Sequence, residues 1–180
     1  MENFEFNEKR KGTFQYTSLI GIILAAISII IFLLNYDIFG VEGKLIVLNY
    51  LFTIVAMVFG AQFIRKECYN GYMDYGRSLW TTFSISLYSV IIFSIFMALY
   101  IYFNKGYAQD LLVAKEQVFL MINPNASSAE LDKVMSLYKS LQNPVLLFFT
   151  TLFSEAISGF IIALIVSIFV KKKEPIGEIK

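Results

Sequence analysis

The chain has 180 residues, 57% of them hydrophobic and only 16% charged, with a net charge of +1, whereas soluble domains average roughly 45–50% apolar and about 25% charged. One cysteine, Cys68, excludes an intrachain disulfide and a cysteine-rich metal site, and the lack of histidine removes Ser-His-Asp and Cys-His catalysis and His-ligated zinc or haem. The near-neutral balance, with no basic stripe, gives no reason to expect a nucleic-acid partner.

About 20 predominantly apolar residues cross a hydrocarbon core as a helix, and four segments meet that length. The first spans about 14–34, "FQYTSLIGIILAAISIIIFLL", without a charge. Lys9, Arg10 and Lys11 precede it as they would in a secretory signal, but the apolar stretch exceeds a 7–15-residue signal core and no small-residue cleavage site follows, so a retained span is expected. The second spans about 45–64, also uncharged, and the third about 78–103, uncharged and rich in Ser and Thr. The fourth spans about 145–170 and carries one ionisable side chain, Glu155. Buried helices of soluble proteins rarely run this long without charge. The fold class expected is all-α: an integral membrane four-helix bundle forming one domain over 1–180.

Between the third and fourth spans, a segment at about 106–142 is too long for a simple connector. Tyr107, Leu111, Ala114, Val118 and Met121 recur at helical spacing, and "NPN" at Asn123–Asn125 interrupts them. Ser127 and Glu130 have the spacing of a capping box, in which hydroxyl and carboxylate satisfy each other's free backbone donors. Leu131, Val134, Met135, Tyr138 and Leu141 form a second apolar stripe that Asn143 and Pro144 end. The expectation is an extracytoplasmic amphipathic helical hairpin, lying on the outer membrane surface or capping the bundle. It serves either as a partner-binding cap or as a connector whose apolar face folds back. "NAS" at Asn125–Ser127 matches a glycosylation sequon, a pattern too short to carry weight.

Orientation follows from lysine and arginine placement. Lys9, Arg10, Lys11, Arg65, Lys66, Arg77, Lys171, Lys172, Lys173 and Lys180 fall on one side, against Lys44, Lys105, Lys115, Lys133 and Lys139 on the other. Both termini are expected in the cytoplasm of a cell whose inner membrane the chain crosses four times. Tyr16, Tyr36, Tyr50, Trp80, Tyr100 and Tyr102 lie near span ends, where amphipathic rings favour the headgroup region.

The turn into the third span reads "NGYMDYGRSLW". Its glycines suit tight turns at a membrane surface, Asp74 and Arg77 are placed to pair, and Cys68 just before it reads as an inert thiol. The Gly71–Tyr72 pair, then Tyr75–Gly76 opening a Ser/Thr-rich helix, together with four spans and a long helical loop before the last, resembles a bacterial membrane family, domain of unknown function 4199 (DUF4199). The resemblance implies the fold and the membrane location; it carries no activity and no functional residues.

Membrane helices associate through small residues and interhelical hydrogen bonds, so small-and-polar stripes mark the bundle interior. The fourth span offers Thr151, Glu155, Ser158, Gly159 and Ala163, with Ser154 at the margin; the second offers Asn49, Thr53, Ala56 and Gly60. The third offers Thr82, Ser86 and Ser89, and the first Gly21, Ala25 and Ser28. Glu155 is therefore expected to face protein, at the depth of Ser28, Thr53, Tyr88 and Ser89, with no lysine or arginine inside any span. An ionised carboxylate there is disfavoured, so an uncharged side chain donating to a hydroxyl or backbone carbonyl is expected. Two roles compete: a proton or cation path, or an amine site, against a hydrogen-bonding side chain that fixes helix register.

No catalytic residue, cofactor or metal ligand is identified. The function expected is a non-enzymatic assembly or interaction component whose partners are the lipid bilayer and a second copy or another membrane protein. The alternative is a small proton- or cation-coupled transporter or channel using Glu155. A membrane enzyme is disfavoured by the lack of histidine and of an acidic pair inside the bundle.

Overall fold

Four long apolar stretches need four helices, because in lipid every backbone donor and acceptor must be satisfied within the chain. The computed structural model describes residues 2–39 and 46–173 as six helices: α1 (Glu2–Phe39), α2 (Ile46–Tyr69), α3 (Tyr75–Phe103), α4 (Lys105–Ile122), α5 (Ser128–Leu141) and α6 (Pro144–Val170). Within them Lys9–Tyr36, Val47–Tyr69, Tyr75–Phe103 and Pro144–Val170 are long and apolar enough to cross a membrane. The chain is thus an all-α, multi-pass membrane protein built as a four-helix bundle with a helical hairpin before the last span. Lys44 and Lys180 lie outside the described residues.

The helices outrun the apolar stretches that announce them. α2 continues through Arg65 and Lys66 to Tyr69, and α1 extends well before Phe14, because hydropathy marks where lipid contact ends and not where backbone hydrogen bonding does. The membrane-competent helices therefore carry basic residues at the ends beyond the uncharged stretches: Lys9, Arg10 and Lys11, Arg65 and Lys66, and Arg77.

α3 packs most extensively against α6 and α1, and α2 touches all three; among the described residues the α1 and α6 backbones do not approach each other closely. In cross-section α2 and α3 form the short diagonal of a rhombus, with α1 and α6 at its far corners. Met57 and Ala61 of α2 pack on Ala163, Val166 and Val170 of α6, while Leu24, Ile64, Cys68 and Ile85 join α1, α2 and α3. Thr82 and Ser167, both buried, share a hydrogen bond of 3.0 Å across α3 and α6. Phe59, Phe103, Phe153 and Phe169 point outward, as expected where lipid rather than water is the solvent.

One end of the bundle is tied by backbone. Asn70 (φ 51°) and Gly71 (φ 84°) adopt the left-handed conformation that ends α2, the role for which glycine carries no Cβ penalty. Met73 and Lys172 then exchange two backbone hydrogen bonds of 2.8 Å, pinning the chain after α6 to the α2–α3 turn. Arg65 donates from its guanidinium to the carbonyl of Val170, satisfying one of the free acceptors at the end of α6.

At the other end Asn104 both closes α3 and opens α4. Its N–H donates to the Tyr100 carbonyl (2.8 Å) and its side-chain oxygen accepts from the Tyr107 N–H (3.0 Å). The turn delivers Tyr107 into a cluster with Phe32, Tyr36 and Tyr100, at centroid distances of 5.5, 5.0 and 5.3 Å. Tyr36 donates to the Asp110 carboxylate (2.7 Å), fixing the base of the hairpin to the bundle, and Gln142 donates to the Ala108 carbonyl, tying the end of α5 to α4.

Burial, with Tyr100 and Tyr36 adding to it, pushes the Tyr107 hydroxyl up to about 12, against about 10 in an unfolded chain. The raised value means that stability is fully present below pH 10 and falls as pH rises toward 12, because the unfolded chain releases the proton first. A Tyr107→Phe variant is expected to lose that alkaline sensitivity, read as hairpin amide exchange between pH 9 and 11. Unchanged sensitivity would place the titrating group elsewhere.

Candidate functional site

Glu155 is half-buried on α6 and lines a small interior cavity of about 30 Å³. Ser28 of α1, Asn49 and Thr53 of α2, and Ser86 and Ser89 of α3 supply its polar lining, with Tyr50, Gly159 and apolar groups around them. All four spans therefore meet here. Ser28 donates to the Asn49 side-chain oxygen at 2.7 Å, joining α1 to α2, and Thr53 donates to the Asn49 backbone carbonyl at 2.9 Å. A water needs roughly 10–15 Å³ of such space and two or more polar partners, so the cavity has room for about two.

The cavity exists because the helices around it approach closely. A Cβ on Gly159 would stand 2.2 Å from the Ser86 Oγ, and a Cβ on Gly21 would stand 2.5 Å from the Tyr88 Cβ and 2.8 Å from the Ile85 carbonyl oxygen. Glycine is required at position 21 for α3 to sit where it does, and at position 159 for as long as the Ser86 hydroxyl holds its place.

Of the residues singled out by sequence, the structure brings Glu155, Ser28, Thr53 and Ser89 to this cavity. It places the other four elsewhere. Tyr88 packs edge-to-face on Phe14 at 5.8 Å, in the groove between α1 and α3. It lies two residues from Ser86, about 200° around the helix at roughly 100° per residue. Ser154 is exposed. Ser158 donates to the Ser154 carbonyl at 3.1 Å, satisfying its own helix. Thr151 is half-buried one turn from Glu155, on the side away from Ile162 toward which the cavity extends. Among the described residues the Glu155 carboxyl has no hydrogen-bond partner, where a donated bond was expected; it faces the cavity instead.

Asn49, Tyr50 and Ser86 complete the site and were not assigned to it. Asn49 and Ser86 belong to recognised polar stripes, so periodicity found their faces but not their depth.

The outer hairpin offers a second surface. Ser127 and Glu130 form the capping box that opens α5: the Ser127 N–H donates to the Glu130 carboxylate (2.8 Å) and the Glu130 N–H to the Ser127 hydroxyl (3.3 Å). The Ser127 N–H first, and then the Ser127 hydroxyl donating at 3.0 Å, hold the Glu130 carboxyl below its usual range. Along α4, Tyr107 is buried and Leu111 and Ala114 half-buried, but Val118, Met121 and Ile122 are exposed. The base of the hairpin is covered and its tip is not. Between α4 and α5 an open cleft of about 1070 Å³ is lined by Phe119, Pro124, Val134 and Leu137.

The family described as "Protein of unknown function (DUF4199)" matches residues 15–172, all four spans and the hairpin included. The chain belongs to that family. Searches of the curated proteins and of the solved structures gave no match. DUF4199 membership agrees with the four-span fold, and the turn at Gly71–Gly76 on which the resemblance rested lies within the matched region. The family's description names no activity, so the chemistry of this DUF4199 member has to be read from its own residues.

Proposed function

We propose that the protein is a non-enzymatic assembly component of a complex in the bacterial inner membrane, with both termini in the cytoplasm and the α4–α5 hairpin on the opposite side. The observation that carries this reading is the hairpin tip. Val118, Met121 and Ile122 are exposed beside the open cleft, at the end of a hairpin whose base is fixed by Tyr36, Tyr107 and Gln142. A surface held in place yet left uncovered is suited to a partner, since contiguous exposed apolar patches mark interaction sites. The orientation rests on the basic residues gathered where α1 begins, α2 meets α3 and α6 ends.

A photo-crosslinking residue at Met121 or Leu137 is expected to give a protein adduct of one defined mass in native membranes, with a second copy or a different membrane protein. Adducts to lipid alone would overturn the reading, because the tip would then be a surface anchor.

A second reading, a small proton- or cation-coupled transporter, is favoured by the Glu155 cavity, where an ionisable group faces hydroxyls and an amide at a point all four spans reach.

A further inference from the structure

At the basic end of the bundle, an open groove of about 930 Å³ runs between α1 and α3. Among the described residues its mouth carries five cations, Lys9, Arg10, Arg77, Lys172 and Lys173, against one carboxylate, Asp74, which pairs with Arg77 at 3.4 Å. Lys172 and Lys173 are held there by the Met73–Lys172 backbone pairing, and the Lys172 ammonium lies 5.4 Å above the Tyr72 ring. Lys9, Arg10 and Lys173 have no acidic partner among the described residues.

The walls change character with depth. From Arg77 the groove descends α3 past Trp80 and Ser84 to Tyr88, and it descends α1 past Phe14 and Thr17. Eleven residues at 1.5 Å each make this about 16 Å, or about half the hydrocarbon thickness. Trp80 and Phe14 are 66% and 59% exposed, so the groove opens sideways to the bilayer and not to an enclosed aqueous chamber. Phe14 and Tyr88 meet edge-to-face at 5.8 Å between its two walls.

We infer that this groove is a binding site for an anionic phospholipid, its headgroup phosphate held by the cations at the mouth and one acyl chain laid along Phe14, Trp80 and Tyr88. Two features select this occupant. Guanidinium and ammonium groups around a phosphate give charge-assisted hydrogen bonds, and basic pockets between membrane helices take anionic headgroups. A free phosphate would use the mouth but not the aromatic walls, which have the length of a chain in one leaflet. The site joins α1, the α2–α3 turn, α3 and the segment after α6, so its occupant bridges all of these.

The test is native mass spectrometry of the delipidated protein titrated with phosphatidylglycerol, phosphatidylcholine and inorganic phosphate. Phosphatidylglycerol is expected to bind at one site, with affinity falling about fivefold for each cation removed in Arg10→Gln and Lys173→Gln, the factor for one basic residue near a membrane surface. Lys66→Gln, which neutralises a cation outside the groove, is expected to leave binding unchanged. Trp80→Ala is expected to abolish the advantage of long-chain over short-chain phosphatidylglycerol. Equal binding of phosphatidylcholine would overturn the inference. So would competition by millimolar phosphate without chain-length dependence, or equal losses in the Lys66 variant.

Discussion

Gly21→Ala is expected to destabilise the bundle, although alanine is the better helix former. The new methyl would meet the Tyr88 Cβ at 2.5 Å and the Ile85 carbonyl oxygen at 2.8 Å. Neither obstacle can rotate away, since one is the first side-chain atom and the other is backbone, so α1 must move off α3. Overpacking of this kind costs about 1–3 kcal/mol, against a helix-propensity gain of about 1 kcal/mol. The net effect is loss, and a larger one for Gly21→Val, whose extra carbons have nowhere to go.

Gly159→Ala provides the contrast. There the nearest atom is the Ser86 Oγ at 2.2 Å, with the Ser86 Cβ at 3.2 Å, so most of the clash is with a hydroxyl. Ser86→Ala is expected to restore stability in the Gly159 variant, whereas Tyr88→Ala should not restore it in the Gly21 variant. Unfolding of the purified protein in mixed detergent–SDS micelles reads both. Wild-type stability for Gly21→Ala would mean that α1 and α3 are not packed as described.

This contrast shows where sequence was sufficient. Four uncharged stretches define four spans because the hydrocarbon core tolerates little else, and the Ser127–Glu130 box was legible because its bonds stay within three residues. The glycines at 21, 60 and 159 were legible as members of small-residue stripes. What helical periodicity cannot supply is the axial offset and rotation between helices. Ser28, Thr53 and Ser89 line the cavity with Glu155, as do Asn49 and Ser86, which periodicity alone does not bring to that depth, whereas Tyr88 does not line it. A two-residue step on α3 turns Tyr88 to the α1 groove, while Ser86 and Ser89 line the Glu155 cavity. The double role of Asn104 was illegible for a related reason. An asparagine reads as a turn residue, yet its effect depends on the Tyr107 ring finding Phe32 and Tyr36 some seventy residues earlier in the chain.

Substitution at Glu155 separates the two functional readings, because its two informative variants act on different properties. Glu155→Lys puts a cation, on a longer side chain, into a cavity of about 30 Å³ among hydroxyls and an amide, with no acid lining it. A lysine at the centre of a membrane helix costs about 2.5–3.5 kcal/mol on insertion scales. This variant is expected to unfold in micelles at markedly lower SDS fraction, and wild-type behaviour would mean that bulk water reaches the position. Glu155→Gln preserves shape and hydrogen-bonding capacity but cannot release a proton. If Glu155 fixes helix register, the glutamine variant keeps wild-type stability and the same crosslinked complex through Met121. If Glu155 carries protons or cations, proteoliposomes holding the glutamine variant lose flux while stability is unchanged. The geometry favours the first outcome: the cavity is wide enough for only about two waters, and polar groups that line it already bind one another across α1 and α2 through Ser28 and Asn49. A glutamine variant that abolished a measurable flux would reverse that conclusion and make the hairpin accessory to a transport pathway.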